Sequence, residues 1–259
     1  MKAASILKSR NLGIRSPGLI KATISRTADY VMLAIPLCFM AVTAALENIH
    51  PAYSRVANTI SELVWGPYGW LETVLFCAFG LMLVVFAWKL HNAVESRFSA
   101  KIGVSALALM GLAFFIIAIF PTEAPGTAET LPSLIHEHTA QAIAFLFPIA
   151  CFLLLPGLKN GGAFPHLYAS TFIAGAAGLI LNIVGLVCVV GDGSWLGAIE
   201  RAVMLNGIVW LGIIGYGLVS CRKQDNKTVK AGRISAGSAN LRPAPVACCQ
   251  NGIDTLSKR

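Results

Sequence analysis

The chain has 259 residues, of which 56% are hydrophobic and only 12% charged, with a net charge of +8 and a mean hydropathy of +0.70. Soluble domains carry about 25% charged residues, so a soluble fold of this length lacks its polar shell. Disorder over most of the chain is excluded by the hydrophobicity. A disulfide scaffold is excluded by the sparse cysteines, seven in all. A polytopic, all-α membrane protein remains.

In chain order, residues 1–27 form a basic segment holding Lys2, Lys8, Arg10, Arg15, Lys21 and Arg26 and no acid. Six apolar runs follow: Ala28–Leu46, Thr73–Leu90, Gly103–Phe120, Thr139–Leu155, Ala169–Val190 and Ala202–Ser220. Each is about 17–22 residues, the length of helix that crosses roughly 30 Å of hydrocarbon. Inside lipid every backbone N–H and C=O needs an internal partner, so runs of this kind fold as helices. The first run begins too late and is too long for a cleaved leader, and we read it as a retained helix. Residues 28–220 are thus a six-helix transmembrane domain. Residues 221–259 are polar, basic and without hydrophobic period, which predicts a disordered tail carrying Cys248 and Cys249.

Charge sets the direction. Eighteen of the 20 Lys and Arg residues fall in the two terminal segments and the second-to-third and fourth-to-fifth connections; the other side has Arg55 and Arg201 alone. By the positive-inside rule both termini are expected in the cytoplasm, and the expected location is the cell's inner (plasma) membrane. Trp65, Trp70 and Trp195 at outer ends and Trp88 at an inner end fit the aromatic belts. The net charge is a topology signal. Nucleic-acid binding needs a folded basic domain with readers, and none is present.

Polar residues gather in the outer connections. Between spans 1 and 2, a helix over Pro51–Leu63 puts His50, Ser54, Asn58 and Ser61 in one stripe of about 80° at 100° per residue, with Glu62 beside it. Ala52, Tyr53, Val56, Ile60 and Leu63 form the opposite face, so a short amphipathic helix is expected here. Its stripe either faces water or lines an outer-leaflet cavity. Gly66-Pro67-Tyr68-Gly69 then turns the chain into span 2. The next connection holds Glu123 and His136-Glu137-His138. On a helix the two histidines lie about 160° apart, whereas helical zinc pairs use i and i+4, so they are weak metal candidates and no cofactor is expected. Histidines that cap helix 4 or bond loop backbone are the plainer reading. The last connection carries Asp192, Glu200 and Arg201. Arg201 either neutralises an outer acid or merely snorkels. Within the bilayer, Asn182 and Asn206 call for interhelical hydrogen bonds.

Asn58-Thr59-Ile60-Ser61-Glu62-Leu63, followed by Gly66-Pro67-Tyr68-Gly69-Trp70-Leu71, resembles the bacterial and archaeal membrane family catalogued as domain of unknown function 998. Phe120-Pro121 at the end of span 3, Glu123 soon after it, His136 before span 4 and Phe147-Pro148 within it extend the likeness over about residues 28–220. The resemblance implies the architecture and names no activity.

Three functions fit the residues. A non-catalytic binding or accessory protein would use the outer polar set, His50, Asn58, Ser61, Glu62, Glu123, His136, Glu137, His138 and Arg201, to hold a lipid or small anionic ligand. A membrane-embedded hydrolase or transferase would act from the same residues on a lipid or lipid-linked group. A small-solute transporter is disfavoured by the lack of buried charge runs and broken helices. P-loop, dinucleotide-binding, H-E-x-x-H and G-x-S-x-G motifs are all missing.

Overall fold

A computed structural model of the chain describes residues 17–94, 97–124, 126–160 and 165–235. The first residues of the basic segment and Cys248 and Cys249 lie outside them. Among the described residues there are no strands. The helices are α1 (Pro17–Ile49), a short 3-10 helix (Ile60–Trp65), α2 (Trp70–Ala93), α3 (Phe98–Ile119), α4 (Leu131–Asn160), α5 (Pro165–Val190) and α6 (Leu196–Ser235). Six of them are long and apolar enough to span a membrane, so this is an all-α, multi-pass membrane protein.

Each long helix packs against its neighbours in sequence, and α6 closes back onto α1. The six helices therefore make a closed ring. Its centre is filled by aromatic rings. Phe39, Phe76, Phe79 and Phe114 stack in a chain with centroids 5.0–6.1 Å apart, and Trp210 meets Phe86 and Phe147 edge-on. Lipid is as apolar as these side chains, so association in a bilayer rests on close packing and interhelical hydrogen bonds. Both are present. A Cβ on Gly80 would lie 2.6 Å from the Gly111 carbonyl oxygen and one on Gly111 2.7 Å from that of Gly80, so α2 and α3 touch backbone to backbone. Asn182 donates to the Ala144 carbonyl at 2.7 Å and Asn206 to that of Ala174 at 2.9 Å, as expected of asparagine in lipid. The buried Trp210 indole N–H reaches Thr171 Oγ1 at 3.1 Å. The outward faces stay apolar: Ile173, Ile180 and Val187 are exposed along α5.

Several boundaries differ from the sequence reading, and α1 begins at Pro17 and not at Ala28, so the last part of the basic segment expected over residues 1–27 is helical. α4 begins at Leu131 and α6 at Leu196, so His136, Glu137, His138, Glu200 and Arg201 stand on helices and not in connections. At α4 the sequence Thr130-Leu131-Pro132-Ser133 explains the early start: Ser133 Oγ accepts from the Thr130 N–H at 3.0 Å, and proline is tolerated in a first turn. α6 continues as helix to Ser235, so the segment expected to be disordered from residue 221 is helical in its first part. Finally, Pro51–Thr59 is a series of turns, with Ala52 at φ 55°, and only Ile60–Trp65 is helical in this connection. The apolar face survives in part: Ile60 and Leu63 are buried and Val56 is exposed.

Candidate functional site

The end of the ring where α1, α3 and α5 finish, the outer end expected from the charge pattern, is closed by a polar cap. Its first part forms where α3 stops. Pro121 has no N–H, and the carbonyls of a last helical turn have no intrahelical partner. His136, in the second turn of α4, fills that need. Its Nδ1 lies 2.7 Å from the Phe120 carbonyl oxygen, and its Nε2 lies 2.8 Å from Ser61 Oγ. A carbonyl only accepts, so Nδ1 carries the proton and Nε2 accepts from the Ser61 hydroxyl. Ser61 and His136 are buried, 6% and 3% exposed. This chain of two bonds ties α3, α4 and the 3-10 helix together. Trp65 adds a bond from its indole N–H to the Thr122 carbonyl at 3.2 Å.

The second part centres on Arg201. Its Nε donates to Glu47 Oε1 at 2.8 Å, its Nη1 to the carbonyls of Asn58 at 2.9 Å and Gly197 at 2.7 Å, and its Nη2 to the Tyr53 hydroxyl. The guanidinium also lies over the Tyr53 ring, 5.5 Å from its centroid. Gly197 makes this approach possible, since a Cβ there would come within 2.1 Å of the Asn58 carbonyl oxygen. Glu47 takes a second cation on its other oxygen, Arg55 Nε at 2.7 Å. The Tyr53 hydroxyl donates to the Thr59 carbonyl at 2.6 Å. Burial raises the Tyr53 pKa, with Arg201 opposing it more weakly.

The third part is local. Glu62 closes a capping box on Thr59, accepting from its N–H at 2.8 Å and its hydroxyl at 3.1 Å, and takes the Asn58 side-chain amide at 2.7 Å on its other oxygen. Glu200, from α6, accepts the Ile60 N–H at 2.6 Å. That bond reaches the start of the 3-10 helix, where backbone donors lack partners.

The candidates therefore divide. Asn58, Ser61, Glu62, His136 and Arg201 join the cap. His50 does not share their direction: its Nδ1 lies 2.9 Å from the Pro51 carbonyl, and its ring packs over Gly66. Glu123 organises its own loop. Hydroxyls of Ser133 and Thr127 and the Thr130 N–H hold its pKa below the usual carboxylate range. Glu137 and His138 are exposed on α4 while His136 is buried, in keeping with their angular spacing. Among the described residues no three His, Cys, Asp or Glu side chains are grouped to hold a metal ion.

Three acids that matter were not singled out from the sequence: Glu47, Glu72 and, as a cap residue, Glu200. Glu72 sits in the first turn of α2, on the same face as Phe76, Phe79 and Leu83, and is fully buried. That spacing of four, seven and eleven residues was the available signal. Its Oε2 accepts from Thr43 Oγ1 at 3.5 Å, and its Oε1 has no partner.

A family model described as protein of unknown function (DUF998) matches residues 32–217, nearly the whole ring. The chain belongs to this family. No curated protein and no solved structure matches it. In this DUF998 member, the family-like residues Ser61, Phe120 and His136 join the 3-10 helix to α3 and α4, and Glu62 caps the 3-10 helix locally.

Chemically, the Ser61–His136 pair has the geometry of a hydroxyl and its base. A backbone carbonyl stands where a carboxylate would orient the imidazole in a triad. A cavity of about 40 Å³ lies deeper, between Phe79, Met110, Phe147, Met204 and Trp210. It is lined by apolar side chains and lacks the convergent polar groups of a reaction site.

Proposed function

We propose that this integral membrane protein is a non-catalytic binding or accessory protein of the plasma membrane, with both termini in the cytoplasm and its polar cap outside. One observation carries the reading: the inward polar groups that chemistry would need are already engaged by the protein itself. Arg201 has four acceptors, Glu62 three donors, and both His136 nitrogens are bonded. The ligand in this reading is an anionic lipid headgroup at the rim, meeting Arg55, whose side chain is 53% exposed. Native mass spectrometry of the full chain released from membranes tests it. Wild type should retain an anionic lipid that Arg55→Ala loses and Ser61→Ala keeps. An unchanged lipid complement in Arg55→Ala refutes it.

The 2.8 Å contact between Ser61 Oγ and His136 Nε2 favours a second reading, a hydrolase acting on a lipid ester. There the Ser61 oxygen would add to the ester carbonyl while His136 Nε2 takes its proton and returns it to the leaving alcohol, and water would release the acyl group. A fluorophosphonate probe separates the two. Labelling of Ser61 that His136→Ala abolishes supports the hydrolase, and an unlabelled, folded protein supports the binding reading.

A further inference from the structure

Glu72 is the one part of the cap that pairing does not explain. Its side chain is completely buried, its Oε1 has no hydrogen-bond partner, and its Oε2 has only the long contact from Thr43. The charges around it are mostly of its own sign. From α1 it faces Glu47, and from α6 it faces Glu200 and Arg201. The 3-10 helix brings Glu62, engaged by Asn58 and Thr59. The outer half of α3 carries no ionisable residue. Both nearby guanidinium groups, Arg55 and Arg201, are paired with Glu47. Glu200 has the Ile60 N–H on one oxygen. Four carboxyl groups thus share two cations, and neither cation forms an ion pair with Glu72.

A carboxylate taken out of water costs several kcal/mol unless a positive charge or good donors meet it. The missing partner must be small, because the side chain is fully enclosed. A singly charged partner fits best: one carboxyl and one hydroxyl are far fewer than the six or more oxygens that Ca²⁺ takes, and among the described residues no group of three acids, histidines or cysteines stands there to hold a divalent ion. We propose that the Glu72 carboxyl and the Thr43 hydroxyl form a buried site for one monovalent cation, a proton or Na⁺, beneath the 3-10 helix that caps the ring. The Glu47 and Glu200 charges favour occupancy electrostatically. Because Glu200 also holds the Ile60 N–H, an empty site would set the Glu72 and Glu200 charges against each other beneath that helix and loosen it. This inference is independent of the binding and hydrolase readings, because it uses neither Arg55 nor Ser61.

The test uses the full chain in phosphatidylcholine nanodiscs, followed by tryptophan fluorescence during thermal unfolding from pH 5 to 9, in choline chloride or NaCl. If the site holds a proton, the Tm of wild type falls as pH rises and Na⁺ does not restore it. If it holds Na⁺, NaCl restores the Tm at high pH and choline does not. In either case Glu72→Gln, which carries no charge, should flatten the dependence. A hydrophobic carbodiimide provides the second measurement, should that variant fail to fold. Modification of Glu72 in wild type, located by peptide mass spectrometry, should slow about tenfold per pH unit above its midpoint, or slow on addition of Na⁺. The proposal is overturned if wild type and Glu72→Gln share the same dependence on pH and Na⁺. It is equally overturned if, with the variant unfolded, Glu72 is unmodified or is modified at a rate indifferent to both.

Discussion

Replacing Arg201 by methionine removes the hub of the cap while keeping most of its volume. The Arg201 side chain is 18% exposed and that of its partner Glu47 only 7%, so the pair is largely out of water. Breaking a buried pair from one side costs about 3–5 kcal/mol, because the remaining charge is stranded. Glu47 keeps Arg55 at 2.7 Å, but that side chain is 53% exposed and compensates weakly. The carbonyls of Asn58 and Gly197 and the Tyr53 hydroxyl also lose a charged donor. We therefore expect Arg201→Met to lose about 3 kcal/mol, the lower end of that range. Arg201→Lys keeps the charge but cannot reach four acceptors, and should lose about half as much. Reversible unfolding in mixed micelles measures both. Hydrogen exchange of residues 53–62 should rise with the loss, since Arg201 holds that segment through Tyr53 and Asn58. The double variant Glu47→Gln/Arg201→Met leaves no stranded carboxylate, so it should be more stable than the sum of the single losses by about 0.5–3 kcal/mol. A loss under about 1 kcal/mol in Arg201→Met, or strict additivity in the cycle, would refute the reasoning.

Gly80→Val should destabilise by at least about 1–3 kcal/mol, the range for overpacking, because its Cβ meets the rigid Gly111 carbonyl; a variant as stable as wild type in the same unfolding assay would mean that α2 and α3 do not touch there. Tyr53 gives an alkaline signature: its folded pKa is raised, so the stability it contributes is full below the unfolded value of about 10 and is lost as pH rises past it. Ultraviolet titration should show one tyrosine ionising above the others, and Tyr53→Phe should remove that step. For topology, reporters at both termini should read cytoplasmic and a cysteine placed at Glu137 should react with an impermeant reagent from outside; labelling only from inside would reverse the orientation.

The ring itself was readable because bilayer physics leaves little choice: an apolar run of this length is a helix. The helix ends were not, because a charged residue does not mark the border of a helix here. Glu200 and Arg201 lie within the first turns of α6 and are tolerated there because Ile60, Glu47 and Asn58 come to meet them. No single segment encodes that meeting. The turn over Pro51–Thr59 failed for a local reason. Ser54 Oγ accepts the Ala57 N–H at 3.3 Å and Asn58 Oδ1 accepts the Ser54 N–H at 2.8 Å, so short polar side chains compete with the helical pattern for the same backbone. A 100° projection ignores this competition. The capping box Thr59-x-x-Glu62 marks where the 3-10 helix begins, a signal that a single helix over Pro51–Leu63 passes over.

The cap also bears on how stability and function divide in a membrane protein. An unmet polar group at the edge of the hydrocarbon is expensive, so a bundle that only needs to stand will bond its outer polar groups to each other. Arg201, Glu47, Glu62 and His136 follow that rule, and their loss should register first as instability, whatever else they do. Their convergence is thus poor evidence for a reaction, even where Ser61 and His136 mimic one. Glu72 breaks the rule. Stability alone favours glutamine or leucine there, since either avoids an uncompensated charge against Phe76 and Phe79. The chain keeps a carboxyl group with one oxygen unmet. Glu72 is therefore the residue at this end of the ring that stability does not account for, and the Arg201 network is the frame that surrounds it.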